Sequence, residues 1–249
     1  MSFYESDKAL SEYLLFHYGS QEDVLPHEFG PTTALDYPVR CVRHNLTTED
    51  IPENAKALDL GCAVGRSTFE LAALCQSVIG IDYSQRFIDA ANDLKANGSL
   101  PYEFLEEGKV TKSATASLSD QIDVSRVTFE QGDAMDLRKD LGSFDIVLAA
   151  NLLCRLTEPL KLLNRLPELV NPGGTLILCT PCTWLEEFTP SANWLGGLPD
   201  GPKSTLEGLS EQLSANFELK STRDMPFLIR EHARKYQWSV ALASVWKRK

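Results

Sequence analysis

Short continuous apolar runs alternate along this chain with stretches whose apolar residues recur at helical spacing. That is the pattern of strands buried on both faces and of the helices that cover them. The runs are LDL at residues 58–60, SVIGIDYS, VTFEQGDAMDL, the strand at 143–150 in SFDIVLAANLLCRL, and NPGGTLILCTP, whose Pro-Gly-Gly turn leads into a fifth strand. Between them, RSTFELAALC, SQRFIDAANDLKAN (84–97), EPLKLLNRLPELV and STLEGLSEQLSAN read as helices, with Ser84 as a cap and Gly98 as a stop. Upstream, FYESDKALSEYLLFHYG carries Ala9, Leu10, Tyr13, Leu14 and Phe16 at helical spacing between a capping Ser6 and a terminating Gly19. A second short helix starts at Pro38 in ALDYPVRCVRHNL. Residues 100–125 alternate and turn near Gly108, which predicts an inserted antiparallel hairpin placed as a flap, followed by a polar connection. The chain ends in FELKSTRDMPFLIREHARKYQWSVALASVWKR, two long strands joined by a basic connection. The expected arrangement is a single α/β domain over residues 1–249, with a helical cap at 1–50 and the hairpin at 100–125.

The stretch LDLGCAVG, residues 58–65, concentrates the chemistry. A strand ends in a turn with Gly61, Ala63 and Gly65 at every second position, and a helix follows whose free N–H groups face the turn. Residues this small let a ligand press against backbone. A dinucleotide fold calls for G-x-G-x-x-G, so that a pyrophosphate sits on the helix N-terminus; the pattern here is D-x-G-x-A-x-G. It closely resembles the first motif of class I S-adenosylmethionine-dependent methyltransferases. The resemblance implies a Rossmann-like seven-stranded sheet, mostly parallel with an antiparallel last strand, and S-adenosyl-L-methionine as cofactor. Asp82 closes the second strand, where a carboxylate can accept from both ribose hydroxyls. Asp133 follows the third strand, where that family places a residue that reads the adenine amino group. The expected cofactor-binding set is Asp59, Gly61, Cys62, Ala63, Gly65, Asp82, Tyr83, Asp133, Ala134 and Asn151.

Composition narrows the acceptor. A net charge of -11 over 249 residues speaks against a nucleic-acid substrate, because a phosphate-binding surface draws on an excess of Lys and Arg. No apolar run approaches the ~20 residues that span a bilayer, and no basic segment followed by an apolar one opens the chain, so a cytoplasmic location without membrane contact is expected. The six cysteines lack disulfide-framework spacing, and the Cys179/Cys182 pair has no second pair for zinc, so no metal site is expected.

Methyl transfer from a sulfonium is an in-line displacement, for which proximity and alignment matter most. Ligands bind beyond the carboxyl ends of the strands, which nominates Asn151 and Arg155 after the fourth strand and Trp184, Glu187 and Trp194 after the fifth. Tyr13, His17, Tyr18, Tyr37 and Arg40 join them from the N-terminal helices. Arg155 either touches ligand or pairs with a surface carboxylate. His17 reads as a packed, hydrogen-bonded histidine, and the tryptophans as loop anchors.

FYESDKALSEYLLFHYG, the EEG at 106–108 and LDLGCAVGRSTFELA together resemble a narrower family, the 4-mercaptohistidine (5-thiohistidine) N-methyltransferases of ovothiol biosynthesis. The similarity runs from Tyr4 to about Trp246. It implies methylation of a ring nitrogen of 5-thiohistidine, giving ovothiol A, by a free-standing enzyme that acts beside a separate sulfoxide synthase and lyase. The proposed catalytic set is Asn151, Arg155 and Tyr37: Arg155 grips the substrate carboxylate with two hydrogen bonds, and Asn151 or Tyr37 orients the ring. Other small N, O or S nucleophiles remain open as acceptors, as does a cofactor-binding scaffold without chemistry.

Overall fold

The computed structural model describes residues 3–249. Five strands run parallel: β1 (Lys56–Leu60), β2 (Ser77–Asp82), β5 (Val127–Gln131), β6 (Phe144–Ala150) and β7 (Val170–Thr180). The chain closes with β8 (Phe217–His232) and β9 (Lys235–Arg248), and the sheet order is β5-β2-β1-β6-β7-β9-β8. The last strand, β9, pairs antiparallel with both β7 and β8 and so runs opposite to the other six strands of the sheet, as expected. The two halves diverge from β1 and β6, and the gap between their outgoing turns is where open α/β sheets hold ligands.

Both faces of the central parallel strands are covered, which is why β1, β6 and β7 are largely apolar, whereas the first half of β8 is exposed and polar. One layer holds α4 (Arg66–Ala72), α5 (Gln85–Asn97) and the N-terminal helices α1 (Asp7–Tyr18) and α3 (Tyr37–Arg43). The other holds α6 (Pro159–Leu169) and α7 (Thr205–Leu213), packed on Leu58, Leu60, Val147, Leu176, Leu178 and Trp246. Serines open three of these helices. The hydroxyls of Ser6, Ser84 and Ser204 accept from Ala9, Phe87 and Glu207 N–H at 3.1, 3.2 and 3.2 Å, a contribution of about 1 kcal/mol each.

Two local expectations change. Gly19 ends α1 in extended backbone (φ -62°, ψ 143°), not in the left-handed turn that terminating glycines commonly adopt. A Cβ there would lie 2.5 Å from the Leu15 carbonyl oxygen, so glycine serves close backbone approach. The inserted hairpin, β3 (Ser99–Glu107) and β4 (Val110–Ser117), turns at Gly108 but is not a flap over the strand ends. It buries Tyr102, Phe104 and Ala116 against the layer beneath α1, and Ser11 Oγ donates to the Glu103 carbonyl. Arg230 of β8 pins it. This nearly buried guanidinium pairs with Glu106 at 2.6 Å, lies 5.0 Å from the Phe104 ring centre and donates to the Asp23 carbonyl.

Candidate active site

The carboxyl ends of β1, β2, β5 and β6 open into a cavity of about 400 Å³. Its floor is the glycine turn. Gly61, Ala63 and Gly65 all take positive φ (71°, 47° and 85°), and Gly61 and Ala63 line the cavity. The turn is held to β2 by two bonds from the Gly61 and Cys62 N–H groups to the Ile81 carbonyl, at 2.8 and 3.1 Å. Asp82 completes the clamp: its Oδ2 accepts from Ala63 N–H at 2.8 Å and its Oδ1 from Ser84 N–H at 2.9 Å. The left-handed Ala63 carries strain that this bond offsets. Burial raises the Asp82 carboxyl above the ordinary range, and the two backbone N–H bonds oppose that rise. A carboxylate offers about four acceptor positions, more than these backbone bonds occupy, and Asp82 lines the cavity.

The next turn is built alike. Asp133 Oδ1 accepts from Met135 N–H at 2.8 Å, its own carbonyl accepts from Asp136 N–H at 2.9 Å, and Gly132 N–H reaches the Asp82 carbonyl at 2.9 Å. Gly132, Asp133, Ala134 and Met135 line one end of the cavity with Ile81 and the largely exposed Tyr83.

The opposite wall comes from α1, α3 and the turn after β6. Asn151 sits in the left-handed region (φ 55°), its N–H held by the Cys179 carbonyl at 2.8 Å and its Oδ1 accepting from Tyr37 Oη at 2.8 Å. Burial raises the Tyr37 phenol well above its usual range, which keeps it a donor. Arg155 lies 4.5 Å from the Phe188 ring centre, and one guanidinium nitrogen donates to the Cys154 and Thr183 carbonyls at 3.1 and 3.5 Å. Among the described residues it has no carboxylate partner, which answers the surface-pair alternative. Tyr13, Phe16, His17 and Phe87 form an aromatic wall beside it.

The expected residues divide clearly. Gly61, Ala63, Asp82, Tyr83, Asp133, Ala134, Asn151, Arg155, Tyr37, Tyr13 and His17 line the cavity; Asp59, Cys62 and Gly65 do not. Asp59 is buried and turned into the fold, where its Oδ2 accepts from Ser67 and Thr68 hydroxyls at 2.8 and 2.7 Å. Burial, opposed by those bonds, pushes its carboxyl up to about 6. Cys62 is sealed in the core, and a Cβ on Gly65 would meet the Phe129 ring at 2.6 Å, so that glycine serves helix–sheet packing. Tyr18 and Arg40 are tied to backbone instead, at Val64, Leu35 and Pro226 carbonyls. Trp184 and Trp194 anchor the long loop through Thr205 Oγ1 and the Thr189 carbonyl at 3.0 and 2.8 Å, and Glu187 is exposed. His17 corrects its reading: its Nδ1 is buried with no hydrogen-bond partner. Tyr4, Met135, Phe188 and Ile229 also line the cavity, and none carries a spacing signal that separates it from ordinary core.

Residues 58–178 match a family model described as "Methyltransferase domain". An N-methyltransferase, NodS, from Bradyrhizobium japonicum WM9, solved in complex with S-adenosyl-L-homocysteine, superimposes with a TM-score of 0.56 at 14% identity, over 96% of this chain and 98% of that one. The fold is that of class I methyltransferases. A demethylmenaquinone methyltransferase of Staphylococcus epidermidis is 26% identical over 54% of this chain and 46% of its own length. An uncharacterized RNA methyltransferase of Leptospira interrogans is 34% identical over 32% of this chain and 21% of its own. The chain thus spans less than half the length of either relative. No helix among the described residues is long and apolar enough to cross a membrane.

Proposed function

We propose that this chain is an S-adenosylmethionine-dependent N-methyltransferase acting on a ring nitrogen of 5-thiohistidine, with ovothiol A as product. The observation that carries the reading is the make-up of the cavity. A small-residue turn and two strand-end carboxylates occupy one side, and an unpaired guanidinium with a Tyr37–Asn151 pair occupies the other. The donor set suits the cofactor: Asp82 can accept from a diol, Asp133 and Ala134 line the end of the cavity that the family resemblance assigns to adenine, and Gly61 and Ala63 line it with small residues. When bound, the cofactor supplies an electrophilic methyl group on a sulfonium.

The remaining groups suit an amino-acid acceptor. Arg155 can grip a carboxylate with the donors its carbonyl contacts leave free. Asn151, oriented by Tyr37, offers its amide N–H groups to the acceptor ring. A neutral imidazole nitrogen carries the lone pair that forms the new N–C bond as the S–C bond breaks toward sulfur. The resulting imidazolium then gives its other ring proton to water, so no strong base is required. The cavity's modest volume and a net charge of -11 favour a small acceptor over a nucleic acid. The narrow-family resemblance of residues 4–246 supports 5-thiohistidine within that class, and a partner enzyme supplying the thiolated amino acid follows from it.

The test is turnover. Purified protein with S-adenosyl-L-methionine should convert 5-thiohistidine to a product heavier by one methylene, read by mass spectrometry, with histidine a much poorer substrate. Absence of product in a preparation that binds S-adenosyl-L-homocysteine would discard the acceptor and leave the fold standing.

A further inference from the structure

His17 is the one member of the aromatic wall whose polar atoms are unaccounted for. Its Nδ1 is sealed from solvent and has no partner, while Nε2 also lacks a protein partner yet is not sealed. The ring lines the cavity, held edge-on by Phe16 at 5.3 Å and tilted against Tyr13 at 5.8 Å between ring centres. The two nitrogens therefore have different fates. A buried N–H without an acceptor costs more than a buried lone pair without a donor, so the proton belongs on Nε2 and Nδ1 is left bare. Burial, reinforced by the Arg66 charge, lowers the ring's pKa to about 3, so the imidazole is neutral. A neutral ring with one accessible N–H is a fixed donor.

The neighbourhood selects what it would donate to. Arg66 lies 5.6 Å from the Tyr18 ring centre and forms no ion pair among the described residues, so its field favours electron-rich groups near the α1 wall. Arg155 stands on the same cavity, where its charge acts on the Tyr13 phenol, and is already assigned to the substrate carboxylate.

We propose that His17 is a specificity-determining residue, whose Nε2–H hydrogen-bonds the sulfur substituent of the acceptor imidazole and so separates 5-thiohistidine from histidine. This rests on the proposed function above. Sulfur on an imidazole is an acceptor as thiolate or as thione, and histidine presents a C–H there. The site then leaves a donor unpaired with the wrong ligand, the arrangement that discriminates most strongly between close analogues.

The experiment measures binding of 5-thiohistidine and of histidine, with S-adenosyl-L-homocysteine saturating, to wild type, His17→Phe and His17→Gln. His17→Phe keeps the aromatic packing and removes the donor; the Gln amide places a donor near Nε2. His17→Phe should weaken 5-thiohistidine by about tenfold or more and leave histidine unchanged, and Gln should recover part of the loss. In the wild type, the ¹⁵N resonance of His17 Nε2 should be that of a protonated nitrogen and should move on adding 5-thiohistidine but not histidine, a readout that needs no variant to fold. Equal weakening of both ligands, no weakening, a Gln variant no better than Phe, or an unmoved resonance would overturn the proposal. Turnover of 5-thiohistidine with any of those results sinks His17 alone, whereas wild type that binds cofactor product but not 5-thiohistidine sinks the acceptor reading with it.

Discussion

Asp82 Oδ2 accepts a hydrogen bond from Ala63 N–H at 2.8 Å, joining the end of the second strand to the glycine turn that follows the first. One carboxylate thus both shapes the turn and lines the cavity. Asp82→Asn keeps the side chain's size and one acceptor oxygen, but it loses the charge and sets an amide N–H against one of the two backbone N–H groups that the carboxylate clamps. It should weaken S-adenosyl-L-homocysteine by more than tenfold in a calorimetric titration, the equivalent of roughly 1.5 to 3 kcal/mol for charge-assisted bonds. Unchanged affinity would remove Asp82 from the cofactor site.

Gly61 is constrained twice. Its φ of 71° disfavours side chains, and an added Cβ would lie 3.1 Å from Leu152 Cδ1 at the cavity floor. Gly61→Val should lose cofactor affinity by at least about tenfold. A folded variant that binds normally would show that no ligand approaches the backbone there.

Tyr37 and Asn151 meet at 2.8 Å across 114 positions of sequence. Tyr37→Phe removes the bond without creating a large void, so stability should fall by about 1 kcal/mol. The proposed role of Asn151 predicts a larger effect on catalysis: kcat/KM down about tenfold, with cofactor affinity retained. Loss of cofactor affinity in parallel would indicate that the pair merely shapes the pocket.

Asp59 predicts a pH dependence of stability. Its folded-state pKa is raised from 3.8 to about 6, so protonation favours the folded chain. The stabilisation is full below about pH 3.8 and is lost as pH rises through about 6, a swing of about 3 kcal/mol. Asn at this position can accept from Ser67 and Thr68 without ionising. Denaturant unfolding of Asp59→Asn and wild type should therefore diverge in the variant's favour between about pH 3.8 and about pH 6. Parallel stability curves over that range would contradict it.

The parallel strands and the two carboxylate turns were legible because buried parallel strands leave continuous apolar runs that end in a small or acidic residue; the arrangement of the sheet was implied only by the family resemblance. The helices that wall the cavity were legible as elements but not side chain by side chain. Tyr13, Phe16, His17 and Tyr18 follow one another on the packed part of a single helix, yet Tyr18 turns to the Val64 carbonyl while His17 faces the cavity. The i, i+3, i+4 spacing puts Tyr13, Phe16 and His17 on one face and Tyr18 about 100° further round, but it does not say which face meets the cavity. Asp59 misled for a related reason. Strand ends with acidic residues look alike in sequence, and only the register puts Asp59 inside, against two hydroxyls, and Asp82 at the mouth. The hairpin was readable from its alternation, but its docking depends on the distant Arg230, so its position beneath α1 was not.

The central claim is that one cavity holds cofactor and amino-acid acceptor side by side. A crystal structure of the chain with S-adenosyl-L-homocysteine and 5-thiohistidine tests it most directly. Ribose hydroxyls should lie on Asp82, the adenine beside Asp133 and Ala134, and the acceptor carboxylate on Arg155, with a ring nitrogen facing the cofactor sulfur. Density for either ligand outside this cavity, or an acceptor whose ring nitrogens both point away from that sulfur, would contradict it.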